Sequence, residues 1–338
     1  MKFDVVVSNP PYQEKIESTS DGPIYHLFMN LAYQLSEQAT LVTPGRFLFN
    51  AGKTPNTWNE KMLNDVHLKV VSYNSRSKDV FPDVDLKGGI AITVRDKKQI
   101  FEKISAFSNY IEVNNIVKKI TESSNFKSID SQVYTQNKFD LDALYQDYPT
   151  FNKIIGSDGK EKRLTTSIFS QLPIFTKERT FDDDLYILGL IKNTRTYRYV
   201  PSKYIEVHSN LSKYKVILPK SNGTGIFGEI LSTPLIENPL VGYTQSFISI
   251  GSFMMKTEAE SCLKYIKSKF ARAMLGALKV TQDNNKDVWK FVPLQNFTSG
   301  LDIDWSKSIS EIDQQLYKKY NLNSEEIEFI ESMIKPMS

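Results

Sequence analysis

Apolar positions follow two different spacings along this chain, and the pattern changes character near residue 120. Residues 3–8 (FDVVVS) form a short β-branched run that stops at Asn9-Pro10-Pro11. Such a run predicts a buried parallel strand, ended where proline cannot donate to a ladder. Residues 23–35 carry Ile24, Leu27, Phe28, Leu31 and Leu35 at helical spacing. Residues 39–43 (ATLVT), 68–73 (LKVVSY) and 89–94 (GIAITV) read as further strands, with a helix at 58–63. Strands alternating with helices predict a parallel or mixed α/β sheet with helices on both faces.

From about residue 118 the pattern loosens. Residues 121–150 are polar and mixed and read as a connector. Short β-like pieces follow at 214–218, 240–242 and 247–250. One long helix is predicted over 258–278, with Ala259, Leu263, Ile266, Phe270 and Met274 on a single stripe. This half reads as an irregular α+β domain. The tail is helical: one helix over 308–320, then a second over 325–333 with Ser324 as its cap. There is no internal repeat and no low-complexity tract.

Composition narrows the class. The 338 residues are 40% hydrophobic and 24% charged, which suits a globular chain of about two domains and excludes a disordered or fibrous one. No apolar run approaches the ~20 residues of a membrane span. The N-terminus has no small-residue cleavage site and meets two prolines too soon for a signal peptide. Cys262 stands alone, so a disulfide framework is excluded and a reducing cytoplasm is the natural setting. His26, His67 and His208 are far apart in sequence, and no metal site is expected. The net charge of +3 conceals an asymmetry. Residues 1–185 hold 23 basic against 24 acidic side chains, 186–300 hold 15 against 7, and 301–338 hold 4 against 8. A basic middle segment is what a phosphate-facing surface produces, although a solvated lysine-rich face gives the same counts.

The residues that carry chemistry are Asn9-Pro10-Pro11-Tyr12. They lie where the first strand ends, and in parallel sheets ligands bind outside the carboxyl ends of strands. The pattern suits an amino group on a flat ring. The Asn9 side-chain carbonyl can accept one N–H of an exocyclic amine, and the Pro10 main-chain carbonyl the other. Two such acceptors draw the nitrogen lone pair out of conjugation and toward a methyl donor. The proline pair fixes φ, so both acceptors stand ready before a base arrives. Tyr12 offers a stacking face. A base within a duplex has to be flipped out to reach such a pocket. The plainer alternative is a strand stopped by a proline turn with a packed tyrosine.

On these residues the chain resembles the amino-methyltransferases that act on adenine in DNA, whose motif reads N-P-P-Y. The order of segments is similar to their gamma class, and ATLVTPGRFL and GGIAITV resemble the strand motifs that follow. YKVILPKSNGTGIFGE, QSFISIGSF, KVTQDNNKDVWKFVPLQ and the ending DIDWSKSISEIDQQLYKKY resemble the recognition region and tail of Eco57I-type restriction-modification methylases. The resemblance implies an α/β fold: a partial Rossmann-like methyltransferase sheet, then an α+β target-recognition domain and a helical tail. It divides the chain at 1–120 (catalytic part), 121–150 (connector), 151–300 (recognition) and 301–338 (tail). It implies S-adenosylmethionine as methyl donor, double-stranded DNA as partner, and Asn9, Pro10, Pro11 and Tyr12 as catalytic residues.

One departure stands out. The family's F-x-G-x-G turn for the cofactor precedes N-P-P-Y, and no such turn is found in this chain. Gly223, Gly225 and Gly228 spell G-x-G-x-x-G, which leaves open a permuted cofactor loop, a loop approaching DNA backbone, or a plain turn. Phe81 is a candidate second stacking ring, with core packing as its rival. Lys220, Arg272, Lys279 and Lys286 are candidate phosphate contacts, and Gln282, Asn284 and Asn285 could read base edges. Trp289 and Trp305 read as core. Asp21, His26 and Arg46 show no spacing that demands catalysis. The sequence therefore points to the C-terminal part of a site-specific adenine-N6 DNA methyltransferase of a restriction-modification system, inactive alone for want of the cofactor motif, with a separate polypeptide as one candidate source of the cofactor-binding and nuclease parts. The alternative is a DNA-binding specificity module, or a truncated remnant, without catalysis of its own.

Overall fold

The computed structural model describes residues 2–14, 22–83, 86, 88–101, 103–104, 107–108, 110–155, 162–298 and 302–337. The chain divides into two compact units, Met1–Ser123 with Gly276–Thr281, and Ser124–Leu275 with Gln282–Ser338. Both mix helix and strand. Among the described residues no helix is long and apolar enough to cross a membrane.

The first unit runs β1 (Phe3–Ser8), a small hairpin β2 (Gln13–Glu14) and β3 (Gly22–Pro23), α1 (Tyr25–Leu35) and β4 (Ser36–Pro44). It continues with α2 (Asn56–Leu63), β5 (Leu68–Asn74), β6 (Ile90–Asp96) and α3 (Ile111–Thr121). Its four-stranded sheet has the order β1-β4-β6-β5. β1 and β4 are parallel, with Ser8 level with Leu41, whereas β6 is antiparallel to both β4 and β5. The carboxyl ends of β1, β4 and β5 therefore share one edge with the start of β6. One apolar cluster sets the strands: Tyr25, Met29 and Ala32 of α1 meet Leu41 of β4, Phe47, Leu48 and Phe49 beyond it, and Trp58 and Met62 of α2. Tyr25 and Phe47 both pack edge-on or tilted against the Trp58 ring, 6.1 and 5.4 Å between centroids.

β1 departs from the buried strand that its valines predict. It lies at the sheet edge, with Phe3 45%, Val5 51% and Val7 76% exposed. β4 covers only one of its sides. Leu27, Phe28 and Leu31 of α1 are exposed as well, so apolar surface remains open on this strand and this helix.

The second unit begins earlier than expected. Residues 121–150 are no connector: β7 (Val133–Tyr134) pairs with a central strand, Phe139 is fully buried, and α4 (Leu141–Asp147) is capped by the Asp140 carboxylate accepting from Ala143 N–H. Short helices α5 (Asn152–Ile155) and α6 (Ile168–Gln171) follow. The hairpin β8 (Leu185–Ile191) and β9 (Thr194–Val200) turns on Lys192 and Asn193, both at positive φ, as a tight two-residue loop requires. Then come β10 (Tyr214–Pro219), β11 (Leu235–Glu237), β12 (Val241–Tyr243) and β13 (Phe247–Phe253). Two sheets result, β11-β10-β13-β7 and β12-β8-β9. Leu188, Ile217, Tyr243 and Phe247 form a buried cluster drawn from both sheets.

The single long helix predicted for 258–278 is two, α7 (Lys256–Lys267) and α8 (Lys269–Gly276). Ser268 breaks it by adopting ψ 150°, and its hydroxyl then accepts from Ala271 N–H. The tail supplies the rest of the new cap. Asp313, on α9 (Ile309–Lys319), accepts from the Lys269 and Phe270 amides at 3.0 and 2.9 Å. The tail is thus built into this unit. α10 (Ser324–Met333) starts one residue earlier than predicted, because Asn323 is the cap and exchanges bonds with Glu326.

Burial pushes the Asp313 carboxyl up to about 6, above the ~3.9 of an exposed aspartate. Its protonated form is thus favoured by folding. That contribution is complete below pH 4 and fades as pH rises through 6. Asp313→Asn never ionises and is expected to flatten the fall in melting temperature between about pH 4 and 6. Asp313→Ala, which removes the cap, is expected to cost about 1–2 kcal/mol at pH 5. Thermal unfolding followed by circular dichroism measures both.

Candidate functional site

β1 ends at Ser8, and the next four residues turn off the sheet edge. Pro10 is buried, Tyr12 half-buried, and Asn9 and Pro11 exposed. The Tyr12 hydroxyl donates to Asn9 Oδ1 at 2.7 Å. Burial pushes the Tyr12 phenol up, with the Asn9 bond pulling the other way, so it stays a protonated donor at neutral pH. The Tyr12 main-chain carbonyl accepts from Ile24 N–H at 3.2 Å, which ties the loop to the start of α1. The arrangement is a fixed acceptor on an exposed edge, closed for the moment by its own tyrosine. A carbonyl oxygen has two lone pairs, so Asn9 can take a second donor without losing Tyr12.

The neighbouring loop leaves β4. There Pro44 ends the strand and residues 45–49 form a 3-10 turn in which Gly45, Phe47, Leu48 and Phe49 are buried. Arg46 is the one residue of that turn that is half-buried rather than buried. Gly45 N–H donates to Gly89 O at 2.9 Å, joining this loop to the start of β6. Phe81 follows β5 on the same edge, half-buried, and its amide is held by Ser77 O at 2.8 Å. Two strands separate β5 from β1, so Tyr12 and Phe81 share an edge without being neighbours in the sheet. His26 has a ring Nδ1 that is buried without a hydrogen-bond partner, and burial lowers its pKa. Asp21 lies outside the described residues.

Several predicted DNA contacts are not surface groups. Arg272 is 3% exposed, and its guanidinium is spent on main-chain carbonyls: Nε on Lys267 O at 3.1 Å, and its terminal nitrogens on Glu229 O and Lys335 O. Lys279 is 4% exposed and donates to Thr281 O at 3.1 Å. Asn284 is 1% exposed, with its amide nitrogen on Pro219 O. In each case the backbone needed a donor, and a polar side chain in the interior supplied it. Gln282, Asn285 and Lys286 are exposed and Lys220 is half-buried, so these four keep a solvent-facing role. Trp289 and Trp305 lie in the core.

The glycine loop resolves to a turn. Glu229 folds back into it and accepts from the amides of Thr224 at 2.8 Å and Gly225 at 3.2 Å. The N–H groups that would cradle a phosphate are taken by a carboxylate, so the residues here do not fit a nucleotide cofactor. Among the described residues, no three His, Cys, Asp or Glu side chains gather as metal ligands. Sequence reasoning missed one ionic group altogether. Lys215 is fully buried on β10, pulled down to about 8 by burial, and faces the carboxylate of Glu237, which Tyr197 also contacts. The continuous apolar run that follows it, Val216 to Leu218, hid it.

The burial pattern gives a direct check. Arg272→Ala removes a buried side chain and the donor it gives to the Lys267, Glu229 and Lys335 carbonyls, and is expected to cost about 2–4 kcal/mol in urea unfolding. Lys286→Ala is expected to stay within about 0.5 kcal/mol of wild type.

With this geometry in hand, known proteins can be compared. Residues 1–81 match the family model described as Eco57I restriction-modification methylase. An uncharacterized adenine-specific methylase of Mycoplasma pneumoniae is 33% identical over 95 residues, covering 27% of this chain and 22% of that protein. Two solved restriction enzymes are similar at low identity. The type IIG restriction endonuclease BpuSI aligns over 95% of this chain and 49% of its own, at 12% identity and a TM-score of 0.29. The type IIL restriction-modification enzyme MmeI, solved in complex with DNA, aligns over 98% and 56%, at 8% and 0.42. The chain therefore spans about a fifth of the curated relative and about half of the two enzymes. Residues 1–81, which include the loop of Asn9 and Tyr12, are thus the part of the chain that is similar to the Eco57I restriction-modification methylases.

Proposed function

We propose that this chain is the base-capturing and DNA-reading part of an adenine-N6 DNA methyltransferase from a restriction-modification system. The observation that carries the reading is the Asn9–Tyr12 pair, held at the carboxyl end of β1 inside the segment that matches the methylase family. An adenine swung out of the duplex would stack on Tyr12. Its amino group would give one N–H to Asn9 Oδ1 and the other to Pro10 O, which localises the nitrogen lone pair. S-adenosylmethionine, when bound, supplies the electrophilic methyl group. The residues of this chain orient the amine and exclude water from one face of the ring. The second unit would carry the reading of sequence, with Gln282, Asn285, Lys220 and Lys286 among its contacts.

The methyl donor has to approach the amine at Asn9, and the unpaired side of β1 is the open approach. An edge strand with Val5 and Val7 exposed and no charge between them is a ready partner for another strand. We place the cofactor-binding part of a larger Rossmann-like sheet there, carried on a separate polypeptide or on the same one.

The reading is tested in the host, where every component is present. A chromosomal Asn9→Ala change is expected to erase N6-methyladenine at one sequence motif, since losing one preorganised bond at a reacting centre costs ~10²–10³ in rate. Gel shifts with the purified Asn9→Ala chain are expected to match wild type, because affinity comes chiefly from phosphate contacts. Tyr12→Trp is expected to keep partial methylation, as stacking needs a ring face and is worth ~1–3 kcal/mol per base. Duplex affinity is expected to fall with salt, the logarithmic slope being ~0.9 per phosphate contact. Full methylation by Asn9→Ala would reduce the loop to a strand terminator.

A further inference from the structure

Arg46 occupies a slot made for it. Its Cγ lies where a Cβ on Gly88 would be, 2.5 Å away, and its Cδ lies 3.1 Å from where a Cβ on Gly52 would be. Both glycines are at positive φ, +85° and +92°, so backbone and side chain demand glycine together. The arginine stem is thus clamped between two loops, one after β4 and one before β6. A clamped stem has already lost the rotamer freedom that an ordinary surface arginine loses on binding. Burial pushes the Tyr25 phenol up to about 12, with the Thr54 hydrogen bond and then the Arg46 charge pulling the other way, and Tyr25 stands next to Ile24, the residue hydrogen-bonded to Tyr12.

The sheet fixes the rest. β1 and β4 are adjacent and parallel, and neighbouring strands lie ~4.8 Å apart. The loop with Asn9 and Tyr12 and the loop with Arg46 therefore leave the same edge side by side. A nucleotide is a base and an anion at opposite ends of a sugar. A nucleotide with its base at Asn9 and Tyr12 and its phosphate turned toward β4 would meet the Arg46 loop, and a guanidinium is a planar fork of donors suited to two phosphate oxygens.

We infer that Arg46 binds the phosphate of the same nucleotide whose base is captured by Asn9 and Tyr12. The inference rests on the proposed function and adds to it a second anchor point. Fixing base and phosphate together would hold the flipped nucleotide in one orientation.

Deoxyadenosine and deoxyadenosine 5′-monophosphate separate the two anchor points, with the full chain titrated at low salt and followed by NMR. Wild type is expected to bind the monophosphate about tenfold more tightly than the nucleoside. Arg46→Gln, which keeps a stem in the glycine slot, is expected to bring that ratio to within about twofold and leave nucleoside affinity unchanged. Arg46→Lys is expected to fall between the two, since it keeps the charge and loses the fork. A ratio near one in wild type, or a ratio unaffected by Arg46→Gln, overturns the role of Arg46 while the base pocket stands. If neither compound binds, the base pocket fails and the phosphate anchor fails with it.

Discussion

Parallel pairing of β1 with β4 is the constraint on which the rest of the first unit depends. Two parallel neighbours deliver their following loops to one edge, whereas an antiparallel pair would have sent them to opposite ends. Proline ends both strands, at Pro10 and Pro44, so neither ladder can run past the point where its loop must leave. Register matters as much as direction. With Ser8 level with Leu41, a slip of one residue would turn every valine of β1 to the other face and carry Asn9 out of line with the β4 loop. The aromatic cluster around Trp58 then holds β4 and the start of α1 in place behind the loops.

The second unit uses its charged groups differently. Asp313 caps α8, Arg272 serves carbonyls from three separate segments, and Glu229 fills a ring of glycine-loop amides. Each is a charge employed as backbone partner in a region where helices are short and turns are many. Leaving such a buried group unmade costs more than the bond itself returns. The excess of cations over 186–300 is therefore partly an internal resource, and the surface is less basic than the count alone implies.

How much of this was legible beforehand follows from what each element announces locally. β4 and β6 stand out because apolar runs are cut by proline or follow paired glycines, and the Asn9–Tyr12 loop because its proline pair sits at a strand end. The β8–β9 hairpin was missed, since its two-residue turn is Lys192-Asn193 and lacks the glycine that usually marks one. The break at Ser268 is equally silent: the apolar stripe continues across it, and the reason for stopping, Asp313, lies 45 residues away. Burial of Arg272 and Asn284 cannot be read from residue type, because the demand comes from the distant carbonyls of Glu229, Lys335 and Pro219, while Lys279 is buried on the carbonyl of nearby Thr281. Arg46 was passed over for a similar cause. Its significance is in Gly52 and Gly88, whose need for it exists only once the loops are folded.

The first unit is assembled from two stretches of chain. Gly276–Thr281 belongs to it, and Val280 packs against its apolar cluster, yet the whole of Ser124–Leu275 is made in between. During synthesis at roughly 5–20 residues per second, the core around Trp58 waits about 10–30 s for its last piece. Through that interval the cluster lacks Val280, whereas the valines of β1 stand exposed before and after it arrives. The order of translation thus gives the second unit a role beyond its own fold: until it has been made, the first cannot close.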